Sequence, residues 1–112
     1  MVFYSRALYS HRILQVLYNG EWGTVCVGLW GMNDAKVACR QLGFTKTIGR
    51  WYYGHGTGRI WLWNMQCAGS ETSLGSCSHN GWGNVASGCD HTQDAGVVQI
   101  ISISMLPVLN LC

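Results

Sequence analysis

Six cysteines dispersed along the chain constrain its possible folds more than any other feature of the sequence. They are even in number and far apart in a chain of 112 residues that contains 15 glycines and one proline: Cys26, Cys39, Cys67, Cys77, Cys89 and Cys112. Dispersed cysteines in a short, glycine-rich chain indicate a disulfide framework formed in an oxidising compartment. The alternative is a cytosolic protein with buried free thiols. We interpret the pattern as a framework, and therefore predict an extracellular protein.

The length and composition fit one small domain that is rich in turns. A chain of 112 residues is too short for two independent cores. Charged residues make up only 11% of the chain, against roughly 25% in typical soluble domains. Six tryptophans supply large apolar side chains to a core that has few long helices to build it.

Two segments have clear secondary-structure signals. Residues 12–26 predict a β-hairpin, because Asn19-Gly20 is a strong type I′ turn signal between two apolar runs. Residues 33–42 predict a helix with Asn33 as N-cap, Asp34 in the first turn and Gly43 as the stop. Its apolar positions recur with helical spacing and include Cys39.

Further strands are predicted over residues 60–65 and 96–104, with a short helical turn within 70–77 and loops over 50–59 and 80–88. Several strands and one principal helix indicate an α+β fold, a small disulfide-rich domain in which a curved β-sheet cradles one helix. We assign residues 1–11 to an atypical N-terminal segment, 12–104 to the domain and 105–112 to an apolar tail. Neither end has the pattern of a secretory signal or a membrane span, so we interpret the chain as a domain excerpt or an incomplete product.

A set of motifs resembles a known family. In chain order they read NGEWGTVC (19–26), NDA (33–35), VACRQLGF (37–44), GRIWL (58–62), QC (66–67), SL (73–74), HNGWG (79–83) and DAGVV (94–98). Their order and spacing resemble those of the scavenger receptor cysteine-rich (SRCR) domain, over residues 13–98. The resemblance implies a curved sheet around one helix, in secreted or cell-surface proteins.

The same resemblance implies the disulfide pairing. It pairs Cys26 with Cys89 and Cys67 with Cys77. The family partner of Cys39 would follow the DAGVV stretch, where this chain has Gln99. We therefore predict that Cys39 is buried and free and that Cys112 is unpaired, although Cys112 is a possible substitute partner.

Many domains of this family hold a divalent cation with acidic residues that this chain lacks. The corresponding positions are Val27, Gly28, Trp63, Asn64 and Gln93. A calcium ion needs several oxygen ligands, mostly carboxylates, and the neighbouring Asp94 alone is a poor site. We predict no tight calcium site and no other cofactor.

The distribution of charge suggests where a ligand binds. Five basic residues and no acidic residue lie between Ala35 and Ser70: Lys36, Arg40, Lys46, Arg50 and Arg59. They predict a basic patch for anionic ligands, with five scattered solvated charges as the alternative. Arg50 and Arg59 also flank an aromatic segment that we take as the first candidate contact site, unless its rings are buried. The candidate ligand-binding residues are Lys46, Arg50, Trp51, Tyr52, Tyr53, His55 and Arg59.

The sequence gives little support for a zinc site, an enzyme or a nucleic-acid-binding protein. A zinc site built from Cys77-x-His79 and Cys89-x-His91 has unusually short spacing between its paired ligands. The chain lacks Gly-x-Ser-x-Gly and His-Glu-x-x-His, and its glycines at 54, 56 and 58 match no phosphate-binding loop. The basic segment lacks the density and the modules of a nucleic-acid-binding protein. We therefore predict neither an enzyme nor a nucleic-acid-binding protein.

The function predicted from these observations is recognition of extracellular proteins or of polyanions such as glycans, lipids and microbial surfaces. Membrane attachment is expected only through a larger parent chain. The alternative is a non-catalytic regulatory or targeting domain of a secreted enzyme, such as a protease or an amine oxidase. A degenerate copy without function is a third possibility.

Overall fold

The computed structural model describes residues 4–8, 13–44, 46–47, 49, 51–98, 100–101 and 110–112. In chain order the elements are β1 (Tyr4–Leu8), β2 (Ile13–Tyr18), β3 (Glu21–Val25), α1 (Met32–Gln41), β4 (Trp51–Gly54), β5 (Arg59–Leu62), the 3₁₀ turns Leu74–Ser76 and His91–Gln93, β6 (Asp94–Val97), β7 (Ile100–Ile101) and β8 (Asn110–Leu111). One principal helix with a mostly antiparallel sheet confirms the predicted α+β class. No helix among the described residues combines the length and the apolar character needed to cross a bilayer.

Strand β2 is the centre of the main sheet. It pairs antiparallel with β1 along one edge and with β3 along the other, and Ile13 also pairs with Gly96 of β6. Strand β4 pairs with β6, and β5 runs parallel to β3, which gives the order β4-β6-β2-β3-β5. Sequence neighbours in β2 point to opposite faces, so this strand contributes to two buried layers.

The predicted hairpin is confirmed. Tyr18 pairs with Glu21 across a two-residue turn, and both turn residues have positive φ, 54° at Asn19 and 78° at Gly20. A type I′ turn requires this conformation at both central positions, which is why Asn-Gly is the preferred sequence.

Strand β1 extends the sheet into the segment that the sequence places outside the domain. It pairs with β2 over its whole length, from Tyr4 opposite Leu17 to Leu8 opposite Ile13. Residues 4–8 contain no apolar run. An edge strand does not need one, and Tyr4 and Arg6 of β1 are exposed. The predicted domain boundary at residue 12 therefore falls between two paired strands.

Helix α1 begins one residue before the predicted start, and its cap differs from the prediction. Gly31 is the N-cap, whereas Asn33 lies within the first turn. The Asp34 carboxylate takes over the capping role, because its Oδ2 accepts a hydrogen bond from the Gly31 N–H at 2.8 Å. Asp34 Oδ1 accepts a second bond, 2.8 Å long, from the buried N–H of Cys67. Asp34 thus joins the start of the helix to a distant loop, and burial raises the pKa of its carboxyl group.

The core lies between the sheet and α1. Leu14, Val16 and Val25 from the sheet are fully buried, as are Ala35 and Ala38 from the helix. The other buried members of this cluster are Trp30, Val37, Cys39, Trp61, Leu62, Met65, Cys67, Leu74, Cys77, Ala95, Val97 and Cys112. The predicted helix face that carries Cys39 is therefore part of the core.

The predicted strand over 60–65 appears as the shorter β5, and the helical turn within 70–77 appears as the 3₁₀ turn Leu74–Ser76. Two short strands, β6 and β7, occupy part of the predicted final strand, and residues 99 and 102–104 of that prediction lie outside the described residues. Residues 80–88 have no regular structure, as predicted.

The structure contains both disulfides that the resemblance implies. Cys26 is bonded to Cys89, and Cys67 is bonded to Cys77. The first bridge spans 63 residues and ties the end of β3 to the irregular region before the second 3₁₀ turn. The second spans 10 residues and encloses the first 3₁₀ turn.

The structure corrects the prediction that Cys39 and Cys112 are unpaired. The two are joined in a third disulfide, and both are fully buried. The reason is the pairing of β7 with β8, in which Ile100 lies opposite Leu111. Because Ile100 directly follows the position of the family cysteine, this register returns Cys112 to the same end of β7. The N–H of Cys112 also donates to the carbonyl of Lys46 at 3.1 Å.

We expect all three bridges in unreduced protein that is produced in an oxidising compartment. Replacing Cys39 and Cys112 together by Ser should lower the unfolding free energy by about 4 kcal/mol, because the bridge restricts a long loop of the unfolded chain. Peptide mapping by mass spectrometry identifies the pairs, and urea denaturation of the double variant measures the loss. Recovery of alkylated Cys39 from unreduced protein would contradict the pairing.

The role of Asp34 can be tested with two graded substitutions. Asp34→Ala leaves the N–H groups of Gly31 and Cys67 without acceptors, so it should lower the unfolding free energy by about 2–3 kcal/mol. Asp34→Asn keeps one acceptor oxygen and should lose roughly half as much. Urea denaturation measures both, and equal losses would exclude separate contributions of the two oxygens.

Candidate functional site

The candidate aromatic segment is a strand and not the predicted loop. Trp51–Gly54 forms β4 at the edge of the sheet and pairs with β6, from Trp51 opposite Val97 to Gly54 opposite Asp94. The signal for this strand was the Trp-Tyr-Tyr run, which has high β propensity. The side chains of Trp51, Tyr52 and Tyr53 and all of Arg50 lie outside what the structure describes, so their predicted role in binding stays a prediction.

The remaining candidates separate into two regions. His55 directly follows β4 and Arg59 is the first residue of β5, and both are exposed. Lys46 is exposed beside the Cys39–Cys112 bridge, where its carbonyl accepts the Cys112 N–H. Arg40, which the sequence counts in the basic stretch, donates from Nη1 to the Glu71 carbonyl at 2.7 Å. Arg40 is thus engaged with the backbone of another loop, and a single basic patch around the aromatic segment stays a prediction.

Arg59 lies on an aromatic surface that the sequence did not identify. Its guanidinium carbon is 4.4 Å from the centroid of the Trp61 ring, two residues further along β5. An arginine over a tryptophan face is held by a cation–π interaction while its N–H groups stay available to a ligand. The Trp61 indole in turn donates from Nε1 to the carbonyl of Glu21 at 2.9 Å.

Three rings form the aromatic cluster beneath Arg59: Tyr18, Trp61 and Trp82. Tyr18 and Trp82 stack with centroids 4.2 Å apart and planes 5° apart. Trp61 meets both edge-on, at 5.1 Å from Tyr18 and 6.5 Å from Trp82. The cluster links the hairpin, β5 and the loop over residues 80–88, and so fixes the position of Arg59.

Gly23 makes room for this cluster. A Cβ atom at position 23 would lie 2.4 Å from Cδ1 of Trp61, closer than any side chain tolerates. The Gly in the sequence Glu21-Trp22-Gly23 was therefore the signal that a ring crosses β3 at this point. Neighbouring strand residues face opposite ways, so Trp22 lies on the other face of the sheet, where Arg6 packs over its ring at 4.0 Å.

A buried carboxylate holds the connection between β4 and β5 against the sheet. Asp94 is fully buried, and its Oδ2 accepts hydrogen bonds from the Gly56 N–H at 2.6 Å and from Nδ1 of His91 at 2.7 Å. The Nε2 atom of His91 lies 2.7 Å from the carbonyl oxygen of Gly58. These contacts fix the backbone on both sides of residue 57, immediately before Arg59.

The contacts of His91 require its imidazole to carry a positive charge. Both ring nitrogens face groups that only accept, a carboxylate and a carbonyl, so both must donate. The other carboxylate oxygen, Oδ1 of Asp94, is buried with no hydrogen-bond partner among the described residues, which increases the need for a neighbouring cation. Burial opposes the charge on His91, but the bonds to Asp94 and Gly58 outweigh it and raise the pKa of His91 above its ordinary value of 6.5.

The positions where the family holds a cation lie close together in the fold. The N–H of Val27 donates to the carbonyl of Gln93 at 2.7 Å, and a Cβ atom at Gly28 would lie 2.9 Å from Nε1 of Trp63. Asn64, the residue after Trp63, donates its amide to Asn80 at 2.8 Å. The residues that occupy these positions are an apolar side chain, a glycine, an indole and two amides, none of which carries the negative charge that attracts calcium.

Two further groupings of metal-binding residue types among the described residues have their cysteines in disulfides. Cys67, Glu71 and Cys77 bring ligand atoms within 4.8 Å of one another, but the two sulfurs are bonded to each other. The zinc set considered from the sequence includes Cys77 and Cys89, which are both in disulfides. A cysteine binds zinc only as a thiolate, so these two cannot serve as ligands.

Comparison with known proteins finds one matching family model and several similar relatives. A family model described as the scavenger receptor cysteine-rich domain matches residues 8–98. Macrophage receptor MARCO of Mus musculus is 51% identical over 83 residues, which cover 74% of this chain and 16% of that protein. Lysyl oxidase homolog 3B of Danio rerio is 49% identical over 88 residues, or 76% of this chain and 11% of that protein. This chain therefore spans only a small part of these relatives.

Two solved structures have a similar fold. The dimeric form of the SRCR domain of mouse MARCO superimposes with a TM-score of 0.68 at 44% identity and covers 87% of both chains. The third SRCR domain of murine neurotrypsin gives a TM-score of 0.69 at 32% identity, covering 87% of this chain and 95% of the other.

The charge on His91 predicts a definite pH dependence of stability. Because the folded pKa is raised, the stabilisation is complete below the unfolded value of about 6.5 and is lost as pH rises through the folded pKa. NMR titration should give a His91 pKa above 6.5, and His91→Gln should remove this decline in urea denaturation series.

His79 provides the control for this experiment. Burial lowers the pKa of His79, so its contribution has the opposite sign and is lost as pH falls below about 6.5. His79→Gln should therefore leave the decline at higher pH unchanged. A His91 pKa at or below 6.5 would contradict the charged state.

Proposed function

Because the chain belongs to the scavenger receptor cysteine-rich family, we propose that it is an extracellular module that binds a partner and performs no chemistry on it. Three disulfides support an oxidising, extracellular location. The family model covers most of the chain, and the relatives include a macrophage receptor and a galectin-3-binding protein. The single observation that carries the proposal is the exposed guanidinium of Arg59 on the aromatic cluster.

The proposed ligand is a polyanion such as a sulfated glycan. The guanidinium of Arg59 is pre-positioned over Trp61, so little side-chain freedom is lost when it binds an anionic group. His91 and Asp94 fix the backbone immediately before it. The net charge of +2 adds a weak long-range attraction for anions.

The acidic residues are mostly engaged with the backbone. Of the five in the chain, four accept hydrogen bonds from backbone N–H groups: Asp34, Glu71, Asp90 and Asp94. The fifth, Glu21, contacts the aromatic cluster through its carbonyl oxygen. Asp90 lies near His55 and adds some negative potential there. Arg59 is therefore a better contact candidate than His55.

We also propose that binding is independent of calcium. The family cation positions carry Val27, Gly28, Trp63, Asn64 and Gln93, and bringing these residues together creates no carboxylate pair. A ligand must then be attracted by arginine and lysine side chains directly.

A second candidate function is that of a non-catalytic regulatory or targeting domain in a secreted enzyme. The observation that favours it is the similarity to lysyl oxidase homologs, of which the matched segment is 11%. The two functions are compatible, because a domain that directs an enzyme to its location also binds a partner.

The binding proposal is tested with a matched pair of arginine variants. Arg59→Gln should weaken binding to a sulfated polysaccharide about tenfold at low salt, because a charge-assisted contact is lost. Arg6→Gln removes the same charge from an exposed arginine that also packs over a tryptophan, but on the opposite face of the sheet, and should bind nearly as the parent does. Surface plasmon resonance measures the affinity of the parent and of both variants at low and high salt, with and without EDTA.

The effect of salt tests the anionic ligand, and the effect of EDTA tests the independence from calcium. Binding should weaken with salt and should not change with EDTA. Equal losses in the two variants would show that net charge alone governs binding, and loss on adding EDTA would overturn the calcium-independent mode.

A further inference from the structure

One turn presents a large apolar side chain in an unfavourable backbone conformation. The N–H of Trp30 donates to the carbonyl of Val27 at 2.8 Å, which closes a turn with Gly28 and Leu29 at its centre. Leu29 has a φ of 64°, a value that residues with a branched or bulky side chain rarely adopt. Its side chain is nevertheless 72% exposed, so it gains little from the core in return.

Strain at an exposed position indicates a role outside the core. Glycine or asparagine would suit this turn better and would avoid exposing apolar surface. Folding therefore gives no reason for a leucine at position 29, whereas contact with an apolar partner does.

Leu29 belongs to a larger apolar projection. Met32, the first residue of α1, is 58% exposed. On the other side of the turn, the backbone of Gly28 lies against the indole of Trp63, whose Nε1 would be 2.9 Å from a Cβ at position 28. We call Leu29, Met32 and Trp63 the apolar tip.

One basic side chain, Lys36, lies beside the apolar tip, and a second, Lys46, is near it in the sequence. Lys36 follows Met32 by one helical turn on the same face, and the stems of both pack against Gly49, where a Cβ would lie 2.4 Å from Met32 Cγ and 3.3 Å from Lys36 Cγ. Lys46 is exposed three residues before Gly49. The acid of this helix, Asp34, is buried with both carboxylate oxygens bonded to backbone N–H groups.

We propose that the apolar tip, with Lys36 and Lys46, docks on the surface of an anionic lipid bilayer. Apolar side chains that project from a turn enter the boundary between headgroups and acyl chains, and neighbouring lysines attract anionic headgroups. The tip exposes only two large apolar side chains, Leu29 and Met32, whereas a specific protein partner needs about 800 Å² of complementary surface on each side. This surface differs from the Arg59 surface and does not depend on it.

The test is co-sedimentation of the full, disulfide-bonded chain with vesicles. The vesicles contain phosphatidylcholine alone or with added phosphatidylserine. The parent chain should partition to the anionic vesicles, and high salt should weaken this partition. Leu29→Asn should reduce it about tenfold, and Lys36→Gln should reduce it about fivefold in anionic vesicles only.

Two controls distinguish a lipid contact from a folding defect. Tyr4→Ser alters another apolar side chain with the same exposure as Met32, 58%, and should bind as the parent does. Leu29→Asn should melt at the same or a higher temperature, because asparagine tolerates positive φ. A lower melting temperature would show that Leu29 is needed for packing and would overturn the proposal.

The proposal also fails if the parent chain does not sediment with anionic vesicles at low salt. It fails equally if Leu29→Asn and Tyr4→Ser partition alike. In that case a protein would be the better occupant of the apolar tip.

Discussion

The bridge between Cys26 and Cys89 is the constraint on which most of the molecule depends. The sheet and α1 account for the first half of the chain, but residues 63–93 contain only two 3₁₀ turns. Such a segment contains no α-helix and no strand of the main sheet, so cross-links to the rest of the fold contribute to its order. The bridge spans 63 residues and joins the end of β3 to this segment. Trp82 and His91, which shape the surface around Arg59, both lie in the region that it holds.

Two buried carboxylates connect distant segments in addition to the disulfides. Asp34 connects the start of α1 to the loop at Cys67, and Asp94 connects β6 to the backbone of Gly56. A buried carboxylate is costly unless it is hydrogen-bonded or paired, and each of these accepts two hydrogen bonds. Three of these four hydrogen bonds come from backbone N–H groups, and the fourth comes from the His91 side chain. These two residues thus tie loops to the helix and to the sheet.

One of the two proposed contact surfaces, the apolar tip, lies beside a departure from the family in composition. Where many family members have carboxylates for a cation, this chain has apolar and amide side chains, among them Val27 and Trp63. The cation positions lie next to the turn that exposes Leu29, so the loss of charge and the gain of apolar surface occur in one region. Arg59 lies elsewhere, over the aromatic cluster. A polyanion and a bilayer surface can therefore be contacted by different parts of the domain.

The sequence alone determined the features that depend on local chemistry. Asn19-Gly20 specified the turn because few other residues adopt its dihedral angles, and the apolar spacing around Ala35 and Cys39 specified a helix with one buried face. The motif resemblance also supplied two of the disulfides. Strand β1 and strand β4 were missed, because an edge strand needs no apolar run and an aromatic run beside glycines also fits a loop.

Only the tertiary structure decided which distant groups meet. Pairing of Cys39 with Cys112 depends on the register of β7 and β8, and short strands leave no register signal in the sequence. The stacking of Tyr18 on Trp82 and the contacts that charge His91 each require two distant segments to meet. Local patterns set the conformation of each segment, whereas long-range contacts depend on how the whole chain closes around its cross-links.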